Sequence, residues 1–254
     1  MALLEVRSAS KRFGGVQALK NISLEVDEGE IVGLIGPNGA GKTSFFNCVT
    51  GLMPLDEGQI LFRGGRDSLR GLPSHQILAK GLARTFQNLR IFKNMTLIEN
   101  VAVGMHSRLR SHLWDAMLRT RRFHVEEKKA FKRSAELLDW MGLARLGNET
   151  AANLSYGNQK RLEIARAMAS DPRLLLLDEP VAGMNPSEKE EICQLVRKIR
   201  ARGIAVLLIE HDMKVVMPLS DRVVVMADGE KIAEGSPQGI QKDPRVIEAY
   251  LGTG

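Results

Sequence analysis

The run GPNGAGKT at residues 36–43 combines closely spaced glycines with a lysine and a hydroxyl, and it fits the pattern G-x-x-x-x-G-K-[S/T]. Gly36, Gly39 and Gly41 allow the backbone to curl until successive N–H groups face inward around phosphate oxygens, and a following helix N-terminus adds to the attraction for anions. Lys42 brings a compact cation to the β and γ phosphates, and the Thr43 hydroxyl is a hard oxygen ligand suited to Mg²⁺. Pro37, Asn38, Ala40 and Ser44 complete the candidate nucleotide contacts. Four fixed positions match by chance roughly once in a hundred chains of this length at average residue usage. The bland alternative is a glycine turn beside a structural lysine.

A second constellation is Asp178-Glu179-Pro180, directly after the four leucines 174–177. A segment that apolar belongs inside a sheet, and it delivers two carboxylates to the carboxyl edge, where ligands of open α/β sheets bind. Asp178 suits a Mg²⁺ shell. Glu179 is placed to polarise a water attacking a γ-phosphate. Standing alone, the pair would read equally well as a strand end with two solvated acids. A third is LSYGNQKRLEIARAMA from Leu154, in which Ser155 is a natural helix N-cap and Leu162, Ala165 and Met168 mark an apolar face.

These residues need particular elements to hold them. EIVGLI (30–35), RLLLLD (173–178) and IAVLLIE (204–210) are apolar on both faces, as central parallel strands are. LLEVR (3–7) and NISLEV (21–26) read as further strands, and VVVMAD (223–228) and KIAEG (231–235), joined at Asp228-Gly229, as a hairpin. Helical patterns cover 42–51, 74–80, 97–105, 126–141, 155–170 and 187–201, with Asp171-Pro172 ending the fifth. The expected fold is α/β, with a mostly parallel core sheet, an N-terminal antiparallel β part and an inserted helical lobe. Residues 75–160 offer no buried strand. The domain expectation is a single unit, 1–254, with about 1–80 and 165–254 as the core and about 81–164 as the helical part.

Composition narrows the classes further. The chain has 254 residues, 44% of them apolar, which excludes disorder. No apolar run approaches the ~20 residues of a membrane-spanning helix. The opening MALLEVRSASKRF lacks a secretory signal's apolar core, and two cysteines cannot form a multi-bridge framework, so a reducing cytoplasm is expected. Net charge is +6, and residues 106–133 hold nine Lys or Arg against three acids while the remainder is balanced. That basic insert reads as a solvated surface, with a membrane-surface or partner contact as the first alternative and nucleic acid as the second. Twelve aromatic residues offer no obvious stacking platform for a nucleic acid. His106, His112 and His124 lack the spacing of a helical zinc site. Cys48 and Cys193 read as packing residues.

The 154–169 segment resembles the LSGGQ-like signature of ATP-binding-cassette (ABC) ATPases, and Ser155 precedes Asp178 by 23 residues, as in that family. The order of motifs matches throughout: Phe13 at the aromatic adenine loop, Gln87 in ARTFQN, Ser155 to Gln159, Asp178-Glu179 and His211 in IEHDM. KRFGGVQAL, RTFQNLRIFKNMTLIENV, AGMNP, IEHDMKVVM and VIEAYLG make the chain most similar to the ATP-binding subunits of branched-chain amino-acid importers of the LivG type. The resemblance implies an ATPase using ATP and Mg²⁺ at the cytoplasmic face of the cell membrane. It implies as partners a second, paralogous cassette, two membrane permeases and, indirectly, an extracytoplasmic substrate-binding protein, with no nucleic acid. It also implies that Phe13 stacks on adenine and that Gln87 contacts Mg²⁺ or the attacking water while sensing the membrane partner. His211 would hold the γ-phosphate, and Ser155 and Gly157 would contact the nucleotide of the opposing subunit.

Two departures stand out. Ala182-Gly183-Met184-Asn185 replaces the frequent Ser-Ala-Leu-Asp, so Asn185 lacks that aspartate's charge, and Tyr156 and Asn158 replace the glycine-rich signature consensus. Rival readings are a LivF-type paralog, a lipopolysaccharide-exporter ATPase, or a non-transport cassette protein acting on nucleic acid.

Overall fold

The computed structural model describes residues 2–106 and 120–251, the side chains of 121, 122 and 251 excepted. The chain divides into two compact units, one of 1–84 with 173–254 and one of 85–172.

The first unit holds two sheets. In the antiparallel one, a long hairpin of β1 (Ala2–Phe13) and β2 (Val16–Asp27) is flanked by β4 (Glu57–Phe62) and the short β5 (Asp67–Ser68), in the order β2-β1-β4-β5. In the other, β3 (Ile31–Ile35), β6 (Leu82–Arg84), β7 (Leu174–Asp178), β8 (Ala205–Ile209) and β9 (Arg222–Ala227) run parallel, and β10 (Glu230–Gly235) pairs antiparallel with β9. The order is β10-β9-β3-β8-β7-β6. Every residue of β3, β7 and β8 is buried, which is why their sequences are apolar without alternation. Asp228 and Gly229 both take positive φ, 48° and 80°, as a two-residue hairpin turn between right-twisted strands requires. The helices are α1 (Lys42–Val49), α2 (Ser74–Ala79), α6 (Pro186–Ala201), α7 (Met213–Leu219), α8 (Pro237–Ile240) and α9 (Pro244–Leu251). One buried cluster joins Phe45, Phe46 and Val49 of α1 to Leu4, Leu24 and Ile60 of the antiparallel sheet and to Val32, Leu34, Leu176 and Leu207 of the parallel one.

The second unit is helical: α3 (Leu97–Gly104), α4 (Arg121–Trp140) and α5 (Tyr156–Met168), with single 3₁₀ turns at Ala144–Leu146 and Ala151–Asn153. Thr96 and Glu99 form a capping box at α3, and the Thr120 and Ser155 hydroxyls accept backbone N–H groups at the starts of α4 and α5.

Three expectations need correction. The window 75–160 does contain a core strand, β6, whose Leu82 and Ala83 are buried and pair with Leu174 and Leu175. With only three residues and a charged last one, it leaves no apolar run to read. α4 begins at Arg121 rather than 126, because Thr120 caps a basic first turn that an apolar pattern does not register. β1 and β2 extend well beyond 3–7 and 21–26, since bulges along their pairing break the alternation. Of the basic insert, residues 107–119 lie outside the described residues.

Candidate active site

The site is built where parallel strands end. β3 is paired on both sides and stops at Ile35, and Gly36 turns the chain with φ 151°. A Cβ on Gly36 would collide with the Met226 carbonyl oxygen of β9, and one on Gly41 (φ 98°) with the Ala18 carbonyl oxygen of β2. Both glycines are thus imposed by neighbouring backbone. Gly39 (φ 84°) differs, since a Cβ there would meet nothing within 4 Å, so the loop is open above it. Gly41 caps α1 without any side-chain hydrogen bond, leaving the first-turn amides to a ligand. Lys42 is buried, and its Nζ donates to the carbonyls of Gly36 (2.7 Å) and Pro37 (2.8 Å), spanning the mouth of its own loop. Burial pushes the Lys42 ammonium down from its usual range, and the Glu179 and Asp178 carboxylates partly hold it up. Thr43 is exposed and Ser44 half-buried.

The carboxylates arrive on β7. Asp178 is buried and accepts from Arg84 Nη2 at 2.8 Å, and the two side chains are 3% and 5% exposed. Arg84 also donates to Asn47 Oδ1 (2.7 Å) and Thr50 Oγ1 (3.2 Å) of the α1 segment, with its guanidinium over the Phe46 ring. One buried arginine therefore ties the acidic strand end to the helix that carries the phosphate loop. Glu179 has φ 47°, a left-handed conformation costing a non-glycine residue about 1–2 kcal/mol. Its N–H donates to the Ile209 carbonyl (2.9 Å), and its Oε1 lies 3.8 Å from His211 Nδ1. His211 is mostly exposed, but its backbone is fixed by Glu210, a fully buried carboxylate that accepts from the amides of Val181 (3.2 Å) and His211 (3.1 Å). Burial pushes the Glu210 carboxyl up, against amides that favour its ionised form. Phe13 stands exposed at the end of β1, with Lys11 Nζ 5.6 Å from its ring centre.

In the second unit, Ser155 is exposed at the N-cap of α5, its Oγ accepting from Asn158 N at 3.4 Å, Tyr156 is exposed, and Gly157 is buried in the first turn. Gln87 is exposed on an irregular loop. The structure thus gathers Gly36 to Ser44, Asp178, Glu179 and His211 at one edge of the first unit, with Phe13 on the same unit, while Gln87, Ser155 and Gly157 belong to the second.

Sequence reasoning missed Arg84, Glu210 and Tyr250. All three lie inside quoted strings, ARTFQN, IEHDM and VIEAYLG, but nothing local tells a buried polar group from a solvated one. Tyr250 of α9 packs, with Val246, in the cluster containing Ile35. Its hydroxyl is pushed up by burial and drawn down by the Gly36 backbone. Among the described residues no group of three or more His, Cys, Asp or Glu could hold a metal alone. The donors here, Thr43 and Asp178, instead fit Mg²⁺ completed by phosphate oxygens and water.

A glycine-rich phosphate cradle at the end of a central parallel strand, beside a buried acidic strand end, defines a P-loop nucleotide-binding ATPase. The chain matches the ABC transporter family over residues 19–182 and the branched-chain amino acid ATP-binding cassette transporter family over 230–254. It is 47% identical to the high-affinity branched-chain amino acid transport ATP-binding protein LivG of Escherichia coli and 45% identical to BraF of Pseudomonas aeruginosa, covering 98% of both chains in each case. The nucleotide-free ATP-binding cassette of an ABC transporter superposes with a TM-score of 0.86 at 31% identity, over 98% of this chain and 99% of that one. The ADP conformation of an ABC transporter's cassette does so equally, over 99% of both. The chain belongs to the ABC transporter family, in the group of LivG- and BraF-like ATP-binding proteins.

Proposed function

We propose that this chain is the ATP-hydrolysing subunit of an importer for branched-chain or closely related hydrophobic amino acids, acting at the cytoplasmic face of the cell membrane. The observation that carries the chemistry is the convergence of Lys42, Asp178, Glu179 and His211 on one sheet edge; the cargo rests on the LivG and BraF relatives. The backbone N–H groups between Gly36 and Ser44, Pro37 excepted, and the Lys42 ammonium grip the β and γ phosphates, and Phe13 stacks on adenine. Thr43 and Asp178 would hold Mg²⁺, which would neutralise charge on the phosphates, and Gln87 would contact that ion or the attacking water. Glu179 orients the attacking water and accepts its proton as the new O–P bond forms and the bond to the β-phosphate oxygen breaks. His211 donates to the γ-phosphate oxygens. Ser155 and Gly157 present the amino end of α5 to a nucleotide held by a second, paralogous cassette, so that closure and reopening of the pair drive two permease subunits fed by a substrate-binding protein.

Glu179→Gln is expected to leave ATP affinity intact and lower steady-state turnover at least about 100-fold, the lower end of what a positioned base contributes. Comparable turnover in that variant would remove Glu179 from the chemistry. Deleting the chain from its host should impair uptake of leucine, isoleucine and valine; normal uptake of all three would overturn the cargo assignment.

A further inference from the structure

The loop carrying Gln87 is irregular from residue 85 to 96, so its backbone polar groups need partners other than a strand ladder or helix. Two side chains of α5 supply several of them in the loop's first half. Lys160 Nζ donates to the carbonyls of Phe86 (3.1 Å) and Gln87 (3.2 Å), and Glu163 Oε1 accepts from the amides of Phe86 (3.3 Å) and Arg90 (3.4 Å). The two charges pair with each other at 3.4 Å, and each residue is 1% exposed. The second half of the loop is held by Asn100 of α3, fully buried, which accepts from Phe92 N (2.8 Å) and donates to the carbonyls of Phe92 (3.0 Å), Met95 (3.4 Å) and Thr96 (3.0 Å).

A buried ion pair is a poor device for stability alone, because well-packed apolar residues of similar volume usually do as well or better. Its advantage is geometric: Lys160 and Glu163 satisfy four loop backbone groups that Leu or Met at the same positions would leave without those partners. Lys160 also stands only five residues, about 7.5 Å along the helix axis, from the Ser155 cap. The anchor therefore lies within about the first two and a half turns of the helix that presents the signature.

We infer that Lys160 and Glu163 are positioning residues that lock the Gln87 loop onto the signature helix, so that the two respond as one rigid body. A displacement of the loop by a membrane partner is then transmitted directly to Ser155 and Gly157, without slack between them. The transmission half of this inference rests on the transporter reading above; the lock itself does not.

The test uses Lys160→Met combined with Glu163→Leu, which removes the pair without stranding either charge. In the full-length protein, hydrogen–deuterium exchange over residues 84–91 should accelerate at least tenfold, while the interiors of α3 and α5 stay protected. In the reconstituted transporter, KM for ATP should be unchanged, whereas stimulation of hydrolysis by the leucine-loaded binding protein should fall at least threefold. Should the double variant fail to fold, Lys160→Leu combined with Glu163→Met, which likewise strands neither charge, is read the same way. Wild-type exchange in the loop overturns the lock. Faster exchange with full stimulation overturns its role in transmission. A wild-type transporter that no leucine-loaded binding protein stimulates faults the cargo reading instead and leaves the exchange result standing.

Discussion

Gly36 and Gly39 occupy one loop and both have positive φ, yet they answer to different demands. At Gly36 an added methyl meets the Met226 carbonyl, so Gly36→Ala must displace backbone of the core sheet. The expected loss is about 3 kcal/mol, with ATP binding abolished. At Gly39 nothing obstructs the methyl and only the conformation is strained, so Gly39→Ala should cost about 1–2 kcal/mol. Chemical denaturation of the two variants separates these cases, and equal losses would show that the loop is held by conformation alone. Asn185 also gains a definite role at this scale. Its side chain accepts from Glu188 N (3.0 Å) and Glu188 reaches back to Asn185 N (3.1 Å), a capping box at the start of α6. Asn185→Asp, which restores the charge seen in many cassettes, should therefore leave stability nearly unchanged. Asn185→Ala should cost about 1 kcal/mol, both read by thermal unfolding.

At the scale of elements, α7 and α9 each brace a strand end. Asp212 caps α7, accepting from Lys214 N (3.0 Å), and pairs with Lys189 of α6 at 2.6 Å. The Lys189 ammonium is the main influence holding its carboxyl below the usual range. A carboxyl depressed by folding adds stability above its unfolded pKa, near 4, and loses it as pH falls through the folded value. Asp212→Asn should accordingly be less stable than the parent at pH 7, with the difference shrinking as the pH drops below 4. A difference independent of pH would assign the effect to packing. α9 places Tyr250 and Val246 against Ile35, directly before the phosphate loop, within the 230–254 segment that marks the branched-chain group. Tyr250→Ala should cost about 2 kcal/mol and raise KM for ATP, while Tyr250→Phe, which keeps the packing, should recover most of the stability. If both variants bind ATP as the parent does, α9 supports the fold but not the loop.

For the whole molecule, charge and organisation constrain function more than any one contact. The described residues contain no helix long and apolar enough to span a membrane. Lys42, Asp178, Glu179 and His211 lie in one compact unit and the Ser155 cap in the other. If that cap serves a nucleotide held by a partner cassette, hydrolysis per chain should rise with cassette concentration, and Glu179→Gln should accumulate as an ATP-bound dimer by size-exclusion chromatography. A rate per chain independent of concentration would argue for complete sites within single chains.

Local sequence was enough to place the phosphate loop, the acidic strand end, the Ser155 cap and the central strands β3, β7 and β8, because each depends on residues adjacent in the chain. A glycine spacing, an apolar run or a capping hydroxyl acts over a few residues and survives being read in isolation. What tertiary structure alone decided are the contacts between distant segments: Arg84 on Asp178, the Glu210 carboxylate under the His211 turn, the Lys160–Glu163 pair beneath Gln87, and Tyr250 beside Gly36. In sequence, each of these is a charged or polar residue indistinguishable from a solvated one. Removal from water and the partners met there turn them into anchors, and both are set by how the chain folds back on itself.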